Sequence, residues 1–487
     1  MYFKQKSDVI FRNYKEFGYI TDNRNFSYKP LSDIGDDIGD KIVSSSGAVF
    51  LSVLGREAQT LDQLAEKICM QFIDADIEVI KCDAKEFYSA LETEGFVVSG
   101  ETLQECNEKD VGFSYKRVPH IRGNNLPYIK KPRQATQDYF ERFFGGRPQL
   151  TNLHIEITSK CNERCVHCYI PHENKYHSMG SDLFYDILEQ CREMNLLHLT
   201  ISGGEPMLHR NFIDFLRKCN EYNFSVNVLS NLTMLNDAIL AEMKKNHLLG
   251  VQTSLYSMDA KIHDSITQQV GSFEKTKSGI LKLLENDIPL QISCPLLKQN
   301  VNSYMDVVKW GKKHDVNVGA DYVIIGQYNC DTQNLQNRLS LEDISEILKQ
   351  RTITDPQYLN KITADAEKKE KMRPGDFVCS VCNSSICIAE NGNVYPCAGW
   401  QGFVVGNIVE SSLYNIWNYS KKIQYLRNLK RKDFPKCLQC PDNQFCTMCM
   451  VRNANENPAG NPLEVNEFFC NIAKMNRELA INGTAEI

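Results

Sequence analysis

The sequence lacks any long run of apolar residues, and this absence excludes several classes of protein. No stretch approaches the roughly 20 apolar residues that a bilayer-spanning helix needs. The first residues, MYFKQKSDVIF, lack the uninterrupted apolar core of a signal peptide. Basic charge is not in excess either, because the net charge is -6 and the lysines and arginines are dispersed. We therefore expect a cytoplasmic protein that binds neither nucleic acid nor membrane.

Cysteine, in contrast, is abundant, with 19 residues in a chain of 487. In a reducing compartment so many thiols favour metal ligation over a disulfide framework. Eleven of them form three tight groups, one at 161 to 168 and two between 379 and 470. The other eight are scattered in apolar or helical patterns, where cysteine is usually a small buried hydrophobe: Cys69, Cys82, Cys106, Cys191, Cys219, Cys294, Cys330 and Cys387.

The first hundred residues read as a compact α+β unit. DVIFRNY, FGYITDN and DKIVSS predict three short strands. Helices are predicted at 47–54, from Thr60 and from Asp83, and the last two open with the capping-box pairs Thr60/Gln63 and Asp83/Glu86. The third helix is expected to end at Gly95. Residues 101–148 are predicted to be a linker that carries one helix around QDYFERFF.

From residue 149 to 340 the pattern alternates between apolar strands and helical segments. Six candidate strands lie at 153–158, 198–202, 225–230, 250–256, 290–296 and 319–325. This order indicates an α/β protein with a parallel sheet, either an open doubly wound sheet or a partial barrel. Both place chemistry at the carboxyl ends of the strands. Residues 341–375 predict charged helices that form a bridge, and 376–487 are cysteine-dense and rich in loops.

The strongest motif is TSKCNERCVHCY, directly after the first of these strands. Cys161, Cys165 and Cys168 have C-x3-C-x2-C spacing. Three thiolates on one short loop can hold three irons of a 4Fe-4S cluster and leave the fourth iron for another ligand. Zinc is the alternative, but a structural zinc site has four ligands, and three cysteines at this spacing are not a usual zinc pattern.

This loop resembles the signature of the radical S-adenosylmethionine (SAM) superfamily. The resemblance implies a partial (β/α)6 barrel resembling a TIM barrel, a SAM molecule chelated to the open iron, and catalysis centred on the three cysteines. It also implies contacts to SAM from residues at matching positions. They are the GGEP turn after the second strand, the residue before the third cysteine, and the ends of strands three and four: Gly203, Gly204, Glu205, Pro206, His167, Asn231 and Ser254.

The C-terminal cysteines resemble the SPASM domain, which holds two auxiliary 4Fe-4S clusters. By position, the first auxiliary cluster is implied to use Cys379, Cys382, Cys397 and Cys449. The second is implied to use Cys437, Cys440, Cys446 and Cys470. The close spacing of Cys379 and Cys382 departs from the family pattern, so Cys387 is a rival ligand. A zinc ribbon is the alternative, but paired C-x2-C units five residues apart are too close for it.

The first hundred residues resemble the small winged-helix-like PqqD domain, a recognition element for the leader of a ribosomally made peptide. A short sheet beside a helix offers an edge to which an extended peptide adds as another strand. By analogy the peptide groove lies between the third strand, with Ile42 and Val43, and the third helix, with Phe87, Tyr88 and Leu91. The alternative is that these five residues belong to the core.

Together the resemblances imply a radical SAM enzyme that modifies a precursor peptide. Its radical, 5′-deoxyadenosyl, removes a hydrogen atom from the peptide, and the auxiliary clusters accept the second electron of the oxidation. A Cys thioether is the favoured product, and a carbon-carbon or carbon-oxygen crosslink is the nearest competitor. A sulfatase-maturing enzyme and a non-catalytic iron-sulfur carrier are further alternatives. The expected cofactors are three 4Fe-4S clusters and SAM, and the expected reductant is a flavodoxin or ferredoxin.

Overall fold

The structure is a computed structural model of the chain. It describes the residues in the ranges 1–22, 40–72, 74–110, 143–354, 358–370, 373–379 and 381–483. Most of the helix predicted around QDYFERFF lies outside these ranges. Within them, no helix is both long enough and apolar enough to cross a membrane.

The N-terminal unit contains two antiparallel sheets of three strands, ordered β5-β1-β6 and β2-β3-β4. Its strands are β1 Tyr2–Gln5, β2 Ile10–Asn13, β3 Gly18–Thr21, β4 Asp40–Val43, β5 Gln59–Thr60 and β6 Val97–Gly100. Its helices are α1 Ser45–Leu54, α2 Leu61–Cys69, α3 Ile77–Thr93 and α4 Leu103–Glu108. The three predicted strands correspond to β2, β3 and β4. The sequence analysis missed β1, β5 and β6.

One helix in this unit begins at its predicted capping residue, and another begins at a different one. Thr60 caps α2 with the predicted capping box, in which the Thr60 hydroxyl accepts from the Gln63 amide and the Gln63 side-chain oxygen accepts from the Thr60 amide. The predicted start of α3 at Asp83 is wrong. The helix begins about two turns earlier, where the Asp76 carboxylate accepts the Glu78 N–H. It does end as predicted, because Gly95 takes a positive φ of 85° just beyond the last turn.

Six parallel strands form the centre of the chain in sequential order, as the alternating pattern predicts. They are β7 Asn152–Thr158, β8 His198–Gly203, β9 Ser225–Leu229, β10 Leu249–Ser254, β11 Leu290–Pro295 and β12 Asn317–Asp321. The helices that cover them are α5 Ser181–Glu193, α6 Phe212–Glu221, α7 Asp237–Lys244, α8 Ala260–Thr267, α9 Ser272–Glu285 and α10 Tyr304–Lys313. The last strand ends at Asp321, so residues 322–325, which were predicted to continue it, form a loop instead.

Apolar residues at helical spacing hold these helices against the sheet. On α6 the buried side chains are Phe212, Phe215, Leu216 and Cys219, which share one face of the helix. The ring of Phe215 stacks on Phe184 of α5 with the ring centroids 3.8 Å apart. Cysteine here acts as a small hydrophobe, as predicted. Five of the eight scattered cysteines are buried, two are half-buried and Cys82 is exposed.

The C-terminal region continues the same sheet past β7. Its strands are β13 Ser385–Ile388, β14 Asn393–Tyr395 and β15 Gly406–Asn407. The β13 strand pairs in parallel with β7, and β14 and β15 follow as antiparallel strands. The helices of the chain's last third are α11 Leu341–Thr354, α12 Tyr358–Glu370, α13 Leu413–Tyr419, α14 Lys421–Asn428, α15 Pro435–Leu438, α16 Met450–Asn455 and α17 Glu467–Gly483. The first two are the predicted charged helices.

The N-terminal unit packs against the amino ends of the barrel strands. The guanidinium of Arg12 donates to the carbonyl oxygens of Leu196 (2.6 Å) and Asn223 (2.8 Å). Tyr14 donates to the carbonyl oxygen of Asn195 at 3.0 Å. These contacts lie at the opposite end of the sheet from the cysteine loop, which follows the carboxyl end of β7.

Candidate functional site

The loop that carries Cys161, Cys165 and Cys168 begins just after β7 and is anchored on helix α8. The amide of Arg164 donates to the carbonyl oxygen of Thr267, and the amide of Val166 donates to that of Ile266, both at 2.9 Å. Within the loop, the amide of Cys168 donates to the Cys165 carbonyl at 3.1 Å. These hydrogen bonds give the loop a defined conformation. A cluster bound by three cysteines of one loop requires such a conformation.

The three thiols of this loop lie close enough to influence one another. Burial raises the pKa of Cys161 to about 11 and that of Cys165 well above its usual value. For Cys165 the negative charges of Glu163, Cys168 and Cys161 raise the pKa further. Such thiols are protonated on their own, and the positive charge of bound iron is what makes them thiolates. All 19 cysteines lie within the described ranges, and none forms a disulfide.

The two glycines of GGEP pack on the cysteine loop. A β-carbon at Gly203, which has a φ of 141°, would be 1.9 Å from the Thr158 carbonyl oxygen. One at Gly204 would be 2.3 Å from the Lys160 carbonyl oxygen. The resemblance implies that these glycines contact SAM. In the structure their lack of a side chain serves the close approach of the loop's own backbone.

Glu205 is completely buried and its carboxylate is already engaged by the protein. One oxygen accepts hydrogen bonds from the Met207 amide (3.0 Å) and the Ser230 hydroxyl (2.8 Å), and the other accepts one from the Asn231 amide (2.8 Å). Burial raises its pKa to about 7 in spite of these bonds. Glu205 therefore joins the ends of β8 and β9. Pro206 begins the short 3-10 helix that follows.

Asn231 connects the end of β9 to the cysteine loop. Its side-chain amide donates to Asn162 at 3.0 Å, and Asn162 donates in turn to Thr233 at 2.7 Å. Asn231 therefore contacts Asn162, the residue that directly follows Cys161. Its carboxamide oxygen also accepts from the amide and the hydroxyl of Thr233.

His167 lies beside Tyr256, a residue that the sequence analysis did not single out. The two rings meet edge to face with centroids 5.3 Å apart, and the Tyr256 hydroxyl is 3.4 Å from His167 Nε2. Burial lowers the pKa of His167 to about 4, so the imidazole is neutral near pH 7. Ser254 is the last residue of β10, and its side chain makes a hydrogen bond to Tyr256.

The sequence analysis also missed a buried polar group on strand β7. Glu156, which is 2% exposed, accepts hydrogen bonds from Tyr169 (3.0 Å) and Gln401 (2.5 Å). Burial raises the pKa of Glu156 to about 7, although these two bonds lower it. The sequence contained one signal for this group, because Tyr169, which donates to Glu156, directly follows Cys168. The contact with Gln401 joins residues 245 apart in sequence, and no local pattern predicts it.

The cysteines assigned to the first auxiliary cluster converge. Burial raises the pKa of Cys397 to about 12, and the nearby negative charges of Cys449, Cys379 and Cys382 contribute. The rival, Cys387, is fully buried on β13. Burial is the main cause that raises the pKa of Cys387, and the negative charges of Glu156 and Cys397 raise it further. Cys387 therefore lies near both Glu156 and Cys397.

The cysteines assigned to the second auxiliary cluster lie near the C-terminal helix. Burial and the charges of Cys470 and Cys440 raise the pKa of Cys437. Cys437 and Cys446 also line one side of a cavity of about 180 Å³, together with Arg431. Three of the four assigned thiols thus influence one another, and the fourth shares a cavity with one of them.

The residues around the first loop fit the cofactors that the resemblance implies. Within the described ranges, no three His, Cys, Asp or Glu side chains converge tightly enough to bind a single metal ion. The ligands of a 4Fe-4S cube stand further apart than those of one ion. In addition, Glu163 Oε1 and His167 Nδ1 are buried beside the cysteines without a hydrogen-bond partner in the described structure. Buried polar atoms are normally satisfied, so a polar ligand fits here.

Comparison with known families agrees with this geometry. Residues 155–311 match the sequence model of the radical SAM superfamily, and residues 379–441 match that of SPASM, an iron-sulfur cluster-binding domain. The chain thus has an α/β fold that contains a radical SAM domain and a SPASM domain. Domains of these two types bind 4Fe-4S clusters.

Individual relatives cover most of the chain. The AdoMet-dependent heme synthase of Methanosarcina barkeri is 23% identical over 316 residues, which is 61% of this chain and 90% of that protein. The antilisterial bacteriocin subtilosin biosynthesis protein AlbA of Bacillus subtilis is 24% identical and covers 64% of this chain and 69% of its own length. The crystal structure of Streptococcus suis SuiB bound to precursor peptide SuiA superposes with a TM-score of 0.59 at 14% identity, covering 96% of this chain and 99% of that one. SuiB has also been solved bound to SAM.

Proposed function

We propose that this chain is a radical SAM peptide maturase that installs a crosslink, most favourably a Cys thioether, in a ribosomally made precursor peptide. One observation carries the proposal. The fold of SuiB, which was crystallised with precursor peptide SuiA, extends over 96% of this chain and includes the N-terminal unit. The similarity to AlbA, a bacteriocin biosynthesis protein, supports the same class of substrate.

The N-terminal unit, residues 1–100, is proposed to bind the leader of the precursor in the manner of a PqqD-like domain. Among the described residues β4 pairs with β3 only, so its other edge is available for an added strand. Of the five residues assigned to the groove, Val43, Tyr88 and Leu91 are core residues with at most 6% exposure. Ile42 is half-buried but packs against the cluster that includes Leu197 and Leu248 of the barrel. Phe87 is half-buried and remains a candidate for peptide contact.

The barrel, residues 149–340, is proposed to hold SAM and the first cluster. When bound and reduced, the cluster and SAM supply a carbon-centred radical that removes a hydrogen atom from the peptide. The chain's own contribution is to fix Cys161, Cys165 and Cys168 through the glycine contacts of GGEP and the anchoring of the loop on α8. The neutral His167 ring, steadied by Tyr256, is proposed to pack against the adenine.

The region 376–487, after the helical bridge 341–375, is proposed to hold two auxiliary clusters, which brings the total to three. The proximity of Cys379, Cys382 and Cys449 to Cys397 supports the first ligand set. A thioether is the favoured product if one assigned cysteine does not bind its cluster, because the auxiliary iron left open there could bind the substrate thiolate. The abundance of thiols also supports a reducing, cytoplasmic location with flavodoxin or ferredoxin as reductant.

The test is coexpression with the peptide encoded by the small reading frame beside the gene, followed by mass spectrometry. A crosslink removes two hydrogens from the peptide. Alkylation with iodoacetamide then identifies its type, because a thioether consumes a cysteine thiol and a carbon-carbon or carbon-oxygen bond does not. An aldehyde product, detected with a carbonyl reagent, would indicate sulfatase-maturase chemistry.

The matched control is Cys165→Ala, which removes one thiol of the first loop and should abolish the crosslink while the auxiliary clusters remain. The wild-type protein with SAM and dithionite should form 5′-deoxyadenosine, and this variant should not. If the wild-type protein forms none, it is an electron carrier or a scaffold and the proposal is wrong.

A further inference from the structure

We propose that the surface beside the second group of auxiliary cysteines is the docking site for an acidic one-electron-transfer protein of the ferredoxin type. The surface is formed by residues 373–377 and 430–440, and we call it the basic patch. The proposal depends on the proposed function in one respect, which is that an enzyme of this kind needs an electron-transfer partner. It assigns the place where the partner binds.

Charge is the first observation. The segment from Lys430 to Lys436 reads KRKDFPK, with four basic residues and one acidic residue, in a chain whose net charge is -6. Lys432 and Lys436 are exposed, and no salt bridge is found for either within the described residues. The acidic residue, Asp433, accepts a hydrogen bond from the Lys430 amide at 2.7 Å. A local excess of positive charge attracts and orients a negatively charged partner.

The two segments of the patch form one continuous surface. The amide of Arg431 donates to the carbonyl oxygen of Asp376 at 3.1 Å, and the amide of Lys432 donates to that of Pro374 at 2.9 Å. These contacts bring the exposed Arg373 to the same side as Lys432. The second acidic group, Asp376, accepts a hydrogen bond from the Arg373 amide at 2.6 Å.

The centre of the patch is apolar. Phe377 is 36% exposed and Leu438 is 39% exposed. The Lys430 ammonium lies 3.2 Å from the centroid of the Phe377 ring, which holds the charge at the edge of the apolar area. A small apolar centre inside a charged rim is the anatomy of a transient protein interface, and electron-transfer complexes are among the smallest of these.

The cysteines lie directly beneath this surface. Cys437 follows Lys436 in the chain, and Cys437 and Cys440 are half-buried. The cavity lined by Cys437 and Cys446 also contacts Leu438 and Arg431. A protein bound on the patch therefore approaches this iron-sulfur site closely, and electron transfer slows steeply with distance. Each encounter transfers one electron between the partner and the iron-sulfur site. The protein that gives the electron is oxidised, and the one that receives it is reduced.

The test measures binding of an acidic bacterial ferredoxin with two 4Fe-4S clusters to the full-length reconstituted enzyme. In the double variant Lys432→Glu/Lys436→Glu, the dissociation constant at low salt should rise about tenfold or more. The matched control is Lys312→Glu/Lys313→Glu, the same charge change on two exposed lysines of α10, which should stay within about twofold. Wild-type binding should weaken with salt, and that of the patch variant much less.

Three further measurements distinguish a docking defect from a loss of clusters or from nonspecific charge attraction. Iron content and 5′-deoxyadenosine formation with dithionite should be unchanged in the patch variant, because a chemical reductant needs no docking site. If charge reversal lowers the iron content, the neutral pair Lys432→Gln/Lys436→Gln replaces it, with an expected weakening of about threefold. A poly-glutamate peptide should bind much more weakly than ferredoxin, since it has no surface to match the apolar centre.

The proposal is overturned if both charge-reversal pairs weaken ferredoxin binding equally, if the patch pair has no effect, or if poly-glutamate binds as tightly as ferredoxin. These outcomes leave the proposed function intact. Conversely, absence of a crosslink with dithionite as reductant counts against the proposed function and not against the docking site.

Discussion

Gly203 lies so close to Thr158 that a β-carbon on the glycine would be 1.9 Å from the threonine's carbonyl oxygen. The neighbouring amide of Gly204 donates to the same carbonyl at 2.8 Å. The end of β8 is therefore pressed against the backbone that leads from β7 into the cysteine loop. The glycines of GGEP act on the first cluster indirectly, by fixing the loop that carries its ligands.

The first prediction follows from this contact. Gly203→Ala should displace residues 158–160, because alanine is strained at a φ of 141° and its methyl group meets backbone. We expect a cost of about 2 to 4 kcal/mol in stability and a loss of iron from the first site. Thermal unfolding and iron analysis measure both. Gly180→Ala is the control, because nothing lies within 4 Å of its β-carbon, and an equal effect there would contradict this account.

The barrel was predictable because each of its strands is a short apolar run set between helical patterns. The run LHIEIT shows this, since Leu153, Ile155 and Ile157 are all buried in the core. The cysteine motifs were predictable because metal ligands follow fixed spacings along the chain. The comparisons confirm the two domain types that these motifs indicate, while the individual ligand assignments stay predictions.

What the sequence did not reveal depends on contacts between distant segments. The strand β1 pairs with β6, about a hundred residues away, and its own four residues carry no distinctive pattern. The true start of α3 was missed because Asp83, like Asp76, has the side chain of a capping residue, and only the structure distinguishes them. Tyr256 and Gln401 likewise reach the site from distant loops, Tyr256 just after β10 and Gln401 between β14 and β15.

The second prediction concerns His167. His167→Phe keeps an aromatic ring against Tyr256, so SAM affinity should stay within about threefold of the wild type. His167→Ala removes the ring and should weaken SAM binding about tenfold, in line with the loss of one aromatic contact. Equilibrium binding of SAM to the reconstituted protein measures both. If phenylalanine weakens binding as much as alanine does, a hydrogen bond from the imidazole is more important than stacking.

The third prediction separates ligands from bystanders among the cysteines. Cys437→Ala should remove about four irons per chain, the content of one cluster. Cys387→Ala should leave the iron content unchanged if Cys379, Cys382, Cys397 and Cys449 complete the first auxiliary site. Cys330→Ala is the control, because Cys330 lies outside both groups and its thiol donates to the Ala454 carbonyl at 3.6 Å. Loss of iron in Cys387→Ala would identify Cys387 as the ligand.

The fourth prediction tests how the barrel and the C-terminal region are joined. Arg338 makes two hydrogen bonds to Glu456, at 2.8 and 2.5 Å, and both side chains are 9% exposed. Arg338→Ala removes the charged partner of the buried Glu456 carboxylate, which keeps only a neutral hydrogen bond from Asn466, and should cost about 3 to 5 kcal/mol. Thermal unfolding should show the loss. The control is Lys309→Ala, which breaks an exposed pair with Asp306 and should change stability by less than about 0.5 kcal/mol.

The fifth prediction concerns the buried carboxyl of Glu156 and the pH dependence of stability. Its pKa is raised by burial to about 7 in the folded state, against 4.5 for the exposed group. The folded protein therefore favours the protonated form. The stability that this group contributes is complete below pH 4.5 and is lost as the pH rises through about 7, to an extent of about 3 kcal/mol.

Glu156→Gln removes this titration while keeping the shape of the side chain. Tyr169 can still donate to the amide oxygen, and Gln401 can turn its own amide to accept from the new N–H group. The difference in melting temperature, variant minus wild type, should therefore be larger at pH 8 than at pH 5. Glu346→Gln, at an exposed position on α11, should show no such difference between the two pH values. If Glu156→Gln gives the same shift at both, Glu156 is already ionised in the folded protein, because its hydrogen bonds outweigh its burial.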